Sequence, residues 1–301
     1  MIRRFLLIPR LQIHNANAMS SPYTIGFPAM TAWLGGVHAL QRYLHQQDLS
    51  NIELISVAVS CHRFDLQSYK GRGDFVQSIV GTANPLDKDG SRPAFVEEAR
   101  CHLEVSLLVE LEGFDTDEQD RFEVLVNQKL RQMKWAGGDV LAVTDVKVYT
   151  ADENDEQSVK KLLNRLMLGY VLIERRELMV QALHEEGQDA LNALLGYLKV
   201  MHRSEQDEES GKVAWSSQCK APGWLVPIAV GFHGISELAQ AANQRDNQTP
   251  HRFAESVVTL GEFKMPYRIS NLDDVLWQYH ADTGRNLYLC QTLSSAKLIG
   301  D

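Results

Sequence analysis

Cysteine is sparse in this 301-residue chain. Four residues, Cys61, Cys101, Cys219 and Cys290, are scattered with no C-x-x-C pair. Neither a disulfide framework nor a zinc knuckle is signalled, and a reducing, cytoplasmic setting is expected. Long apolar runs are also missing. In the opening MIRRFLLIPRLQIHN the apolar run spans only Phe5 to Ile8 before Pro9 and Arg10 interrupt it, too short for a signal peptide. No stretch approaches the roughly 20 apolar residues of a membrane span, so a soluble protein without a membrane partner is expected. Walker-type loops, G-x-S-x-G elbows and H-E-x-x-H pairs are absent, which removes the common hydrolase and nucleotidase readings. A surplus of positive charge is lacking as well: the net charge is -9, which by itself argues against a nucleic-acid protein. Its distribution is uneven. Residues 1–103 hold ten Lys/Arg against eight Asp/Glu, a balance of +2, while residues 104–301 hold twenty against thirty-one, or -11. The first third is therefore free to face an anion.

What is present alternates between strand and helix. Phe5 to Ile13 reads as a buried strand, and Thr31 to Gln46 as a helix whose Leu34, Val37, Leu40 and Leu44 share one face. Thr31, His38, Arg42 and His45 form a polar stripe beside it. Ile52 to Phe64 and Ala99 to Leu111 are apolar and β-branched enough for two more strands. Between them, an excursion at about 66–95 carries Lys70, Arg72, Lys88 and Arg92 and is longer than most loops of compact domains. Thr116 is placed to cap a helix with Phe122, Leu125, Val126, Leu130 and Met133 at amphipathic spacing, after which Gly137 and Gly138 turn the chain into a further strand. This is the βαββαβ order of ferredoxin-like and RNA-recognition-motif (RRM) folds.

The sequence thus predicts an α+β protein with such a body in residues 1–150. A helical segment is expected over 151–212, ending in the acidic loop SEQDEESG, and a C-terminal portion over 213–301 completes the body. Pro222 and Pro227 bracket the Trp224 run, which points to an edge strand or an irregular segment. A helix is expected in HRFAESVVTLGEF and a strand in NLYLCQTL.

Two Cys-His dipeptides, Cys61-His62 and Cys101-His102, raise a metal site, but consecutive strand residues face opposite ways, so each pair offers one ligand to any single site. No metal and no cofactor are expected. A metal-independent ribonuclease needs a general base near the 2′-OH, for which His14, His38, His62 and Lys70 are candidates without diagnostic spacing. The stretch IHNANAMSSPYTIGFPAMTAWLGG is more informative. Asn15, Asn17, Ser20 and Ser21 both donate and accept hydrogen bonds, and small neighbours permit close approach, a surface suited to bases and ribose. The same residues also describe a plain loop turning onto a helix.

Taken together, the blocks resemble a known family, the second Csy subunit of the type I-F CRISPR surveillance complex, a Cas-five-type member of the RAMP superfamily. LLIPRLQIHNANAMSSPYTIGFPAMTAWLGGVHALQR is similar to its N-terminal signature, CHRF to its second strand, NPLDKDGSRPAFVEEARCHLEVSLL to its middle block and WAGG to its Gly turn. PGWLVPIAVGF and HRFAESVVTLGEF resemble its C-terminal blocks. The resemblance implies an RRM-like RAMP body with a thumb-like excursion around Lys70, Arg72, Lys88 and Arg92. It implies binding of the 5′ handle of the CRISPR RNA, pairing with the large Csy subunit, contact with the first backbone subunit, and engagement of target DNA through the assembled complex. No catalytic residue is implied; the alternative is a Cas-five-type, metal-independent repeat-RNA endonuclease. Within the matching blocks, residue chemistry selects Asn15, Asn17, Ser20, Ser21, Thr31, His38, Arg42, His62, Arg63, Lys70, Arg72, Arg100, Gly137 and Gly138 for RNA, and Trp224 and Trp277 for the partner interface.

Overall fold

The computed structural model describes residues 1–80, 86, 88–91, 98–206, 212–242, 244, 246 and 248–297. It mixes helix and strand, with sheet predominating. Four long antiparallel segments open the chain: β1 (Ile2–Asn17), β2 (Glu53–Leu66), β3 (Arg100–Glu112) and a split last strand, β4 (Gly138–Ala142) and β5 (Lys147–Asp152). Across the sheet the order is β4 and β5 end to end along one edge of β1, then β1, β3 and β2. The helix α1 (Met30–His45) connects β1 to β2, and α2 (Gln119–Leu130) follows β3.

β1 illustrates how the sequence produces its site. Its partner β3 alternates without interruption, with Leu111, Val109, Leu107, Val105, Leu103 and Cys101 all in the main core. β1 sends Leu6, Ile8, Leu11, Ile13 and Ala16 into the same core, so its step lengthens from two residues to three twice. The pairing register shifts at both places, and a residue with positive φ sits at each: Arg10 at 52° and Asn15 at 61°. Each bulge adds one residue, restores the apolar parity beyond it, and turns a polar side chain outward.

The helices cover that core. Trp33, Leu34, Val37, Leu40 and Leu44 of α1 and Phe122, Val126 and Leu130 of α2 are buried in it. Asp115, rather than Thr116, caps the turn leading into α2, accepting from the Asp117 amide at 3.2 Å. The chain extends one residue earlier than the periodicity indicates, and the first turn is a 3-10 turn at Thr116–Glu118. The opposite sheet face is covered at one end by α3 (Glu156–Leu163) and by a turn near Leu272, where Phe5, Leu7, Ala58 and Leu108 meet Val159, Leu162, Ile269 and Leu276. There the Arg3 guanidinium donates to both Glu110 oxygens at 2.6 and 2.8 Å and to Asp273 at 2.8 Å, tying β1, β3 and that turn together.

The second half differs more from expectation. Residues 151–212 are not purely helical: YVLIE forms the strand β6 (Tyr170–Glu174), followed by α4 (Arg176–His184) and α5 (Ala190–Leu198). The boundary placed at 212 falls inside a hairpin, β7 (Val200–Gln206) with β8 (Val213–Cys219), and residues 207–211 of the acidic loop lie outside the described residues. The Trp224 run is the strand β9 (Trp224–Gly234), flanked on both edges rather than marginal. Pro227 is tolerated because only Gly231–His233 of β9 meet the strand on the second edge. HRFAESVVTLGEF contains β10 (Ala254–Lys264), not a helix. Its middle is covered on both faces, so strand alternation is lost and the apolar spacing imitates a helix. β11 (Trp277–Asp282) and β12 (Leu287–Thr292) complete the set.

These strands close a ring, β2–β6–β10–β9–β12–β11 and back to β2. β2 belongs to both sheets, so the two halves share one strand. Where the edges of β6 and β11 diverge along β2, Trp277 fills the gap: it is fully buried, and its indole N–H donates to the Leu172 carbonyl at 2.9 Å. Trp277 is therefore a core residue and not part of an exposed partner surface, because its side chain is enclosed where β2, β6 and β11 meet.

Candidate nucleic-acid interface

The far ends of β1, β2 and β3 converge with the turn before β4. Asn15, at the second bulge, accepts at Oδ1 from Gln67 at 2.8 Å, and its amide donates to His102 Nδ1 at 3.2 Å. Gln67 also meets His102 Nε2 at 3.0 Å, and the His102 ring stacks on His14 with centroids 4.1 Å apart. The Arg100 guanidinium pairs with Glu98 and lies 3.5 Å from the Asn15 carbonyl. Asn17 turns its side chain back on the Met19 backbone, and its amide donates to the Ala136 carbonyl at 2.8 Å. Gly137 has φ +77° and takes the turn a side chain would strain, while Gly138 crosses β1 so closely that a Cβ would lie 2.7 Å from the His14 carbonyl oxygen. Asn15, Asn17 and Gly137 are exposed and, with the half-buried Arg100, form one polar patch over the buried Gly138. Gln67 and His102 belong to it although neither was expected there, as does His14, expected only as a candidate general base; the pairing of β1 and β2 with β3 brings them together.

Beside the patch, a groove of about 390 Å³ opens between the first and second halves. Its walls are Phe27, Phe64, Tyr170, Trp224 and Phe263, with His62 and Arg63 contributed by β2. Trp224 is 57% exposed, and its ring meets both Tyr170 and Phe263 at 5.3 Å. Arg63 is held only loosely, 3.8 Å from an exposed Asp65. The hairpin Met19–Ser21 with Thr24–Ile25 leads into the Gly26–Phe27 wall. Ser20 and Ser21 are engaged with Thr24 Oγ1 at 2.9 and 2.7 Å, and Ser21 is buried. They shape the hairpin rather than present free hydroxyls.

Other candidates lie apart. Thr31 is half-buried in the first turn of α1, while His38 lines a different cleft with Gln41, Glu53 and Tyr279. Arg42 is exposed one turn beyond it. Lys70 and Arg72 are exposed beside the hairpin Ser68–Tyr69 with Ser78–Ile79, the described part of the excursion together with Leu86 and Lys88–Ser91; Arg92 lies outside the described residues.

The dipeptides do not converge as a metal centre. His62 Nε2 is engaged with Ser106 Oγ at 2.7 Å, and burial, reinforced by Arg10, lowers its pKa so that the ring is neutral. Burial pushes the Cys61 and Cys101 thiols up to about 12, leaving them poor ligands and nucleophiles near neutrality. Among the described residues no group of three or more His, Cys, Asp or Glu is placed to hold an ion.

The family model described as CRISPR-associated protein (Cas_Csy2) matches residues 6–290. The chain belongs to the CRISPR-associated Csy2 family. It is 37% identical over 312 aligned residues to CRISPR-associated protein Csy2 of Pseudomonas aeruginosa (strain UCBPP-PA14), covering 95% of this chain and 94% of the relative. The family resemblance read from the sequence blocks is thereby borne out. The Csy2 match encloses both the polar patch and the aromatic groove, so the site is part of the family's shared chain and not an addition at either end.

Proposed function

We propose that this chain is the non-catalytic subunit of a type I-F CRISPR surveillance complex that binds the 5′ handle of the CRISPR RNA and pairs with the large subunit. Membership of the Csy2 family supports a place in the Csy complex. The observation that carries the RNA reading is the aromatic groove with a loosely paired Arg63 beside a polar patch in which Asn15 and Asn17 are exposed. Unstacked bases stack on aromatic rings, guanidinium groups take phosphates, and amides read base edges. The strand order of β5, β1, β3 and β2 with helices after the first and third strands favours a ferredoxin-like, RRM-like RAMP body. Trp224, at the groove's rim, is assigned to the large-subunit contact, Lys70 and Arg72 of the thumb-like excursion stay assigned to RNA, and the first backbone subunit is a further neighbour. Target DNA is reached only through the assembled cytoplasmic complex.

The net charge of -9 repels phosphate at a distance, so tight handle binding requires the large subunit. The test is co-purification of this chain with the large subunit and labelled CRISPR RNA, with and without the handle. Handle-dependent retention of uncut RNA is expected, and Arg63→Ala is expected to lower its salt slope by about 0.7, the single-strand value for one phosphate. Retention that ignores the handle would overturn the reading in favour of a protein scaffold, and metal-independent shortening of the RNA would overturn it in favour of a nuclease.

A further inference from the structure

Most arginines packed against the sheets are neutralised where they stand: Arg3 by Glu110 and Asp273, Arg10 by Glu104, Arg175 by Glu262 and Arg176 by Glu174. A second group is treated differently. Arg4 on β1, Lys161 in the last turn of α3 and Arg165 just beyond it line one open cleft of about 420 Å³ together with the hydroxyls of Thr116, Thr150 and Ser158. Among the described residues no Asp or Glu lines that cleft.

The two guanidinium groups are positioned without being discharged. Arg4 donates to the Phe114 carbonyl at 2.7 Å and lies over the Phe114 ring, and the Arg165 guanidinium stacks 3.7 Å from the Tyr149 ring centroid. Ring faces and a carbonyl hold the planar groups in place while leaving their full charge for an outside anion. Lys160, one residue before Lys161, is paired with Glu156 at 2.6 Å, whereas Lys161 has no carboxylate within ion-pair distance among the described residues. In a chain of net charge -9, three cations with no acidic partner among the described residues around one cleft are a concentrated local field.

We propose that this cleft binds phosphodiester oxygens of a nucleic-acid backbone. Two fixed guanidiniums, an ammonium and three hydroxyls supply the donors that phosphate oxygens accept; the side-chain amide in the lining, Gln119, already donates to Glu123 at 2.9 Å, and the Tyr149 ring is covered by Arg165. The cleft lies at the opposite end of β1 from Asn15, on the order of 35 Å along the strand, so it meets different nucleotides from the handle patch. The inference rests on the reading of this chain as a nucleic-acid-handling subunit. The phosphate belongs either to the guide RNA or to duplex DNA, and the same chemistry serves both.

The experiment uses the assembled complex with its partner subunits and CRISPR RNA, and compares wild type with Lys161→Gln/Arg165→Gln. Affinity is measured against salt concentration in two arms, one for non-cognate duplex DNA and one for the guide RNA. Loss of two phosphate contacts is expected to reduce the slope by about 1.8 in the duplex arm or about 1.4 in the single-strand arm, which at 0.15 M salt is about 30-fold or about 14-fold weaker binding. The arm that changes identifies the source. Unchanged slopes in both arms overturn the proposal. Lys161→Gln alone, at an exposed position, gives half the change and serves if the double variant fails to assemble, and Lys161→Arg/Arg165→Lys should retain wild-type slopes. Should the wild-type complex show no handle dependence, the handle reading fails while the duplex arm still tests the cleft.

Discussion

Trp277→Phe separates core from interface. The substitution removes the ring that fills the junction of β2, β6 and β11 and the N–H that satisfies the Leu172 carbonyl. The lost ring leaves a void on the order of 40 Å³, worth about 1 kcal/mol at about 24 cal/mol per Å³. The buried carbonyl, now without that donor, adds about 1–3 kcal/mol. The sum is about 2–4 kcal/mol, a fall in Tm of about 3–6 °C for a chain of this length. Thermal unfolding of the purified chain, followed by circular dichroism, reads this directly, and titration with the large subunit reads pairing in parallel. Trp224→Ala is the control: its ring is more than half exposed and packs only on Tyr170 and Phe263, so its effect on Tm is small and its effect on complex formation large. An unchanged Tm for Trp277→Phe together with weakened pairing would refute the argument that the closed strand ring buries this residue for stability.

Three further outcomes are expected. Arg3→Ala leaves Glu110 with only the Ser56 hydroxyl, at 2.7 Å, to offset a buried charge, and should cost about 3–5 kcal/mol, read from the urea midpoint. Because the folded-state pKa of His62 is lowered, the unfolded chain binds the proton more readily; stability is fully present above about 6.5 and is lost as pH falls from there through the folded value. His62→Gln should therefore flatten the stability profile between pH 7 and 5, and an unaltered profile would count against burial as the cause. Gly138→Ala places a Cβ 2.7 Å from the His14 carbonyl oxygen and 2.8 Å from the Ala16 amide nitrogen, backbone atoms that cannot step aside. A loss of about 1–3 kcal/mol and weaker handle retention should follow, measured by unfolding and by co-purification.

Legibility in the sequence followed the clarity of one-sided burial. α1 presents one apolar face to the main core, and the first half of β3 alternates buried with half-buried residues although its second half is covered on both faces; both were readable within a residue or two of their ends. β10 was not, because its central residues are covered on both sides and its apolar spacing carries no period of two. β9 was misjudged for a different reason: Pro227 argues against a central strand unless the second edge is left open at that residue, which pairing alone decides. In the site, Asn15 and Gly138 were visible as small or polar residues in a suggestive stretch. Gln67 and His102 became visible only when β3 was laid beside β1, and the aromatic groove only when Trp224 and Phe263 were brought to Phe64 across the two halves.

Local chemistry, then, was written in the chain itself: which segments are helix or strand where one face is buried, where glycine must relieve a turn, and which blocks mark the family. These depend on neighbours in sequence and on backbone sterics, which a linear reading contains. Tertiary structure alone decided which side chains are available. It buried Trp277, engaged Ser21 within its hairpin, and left Arg4, Lys161 and Arg165 without acids among the described residues while pairing Arg3 one residue away from Arg4. Availability depends on what the rest of the chain packs against a residue, and here that was set by the closure of strands far apart in sequence onto β2.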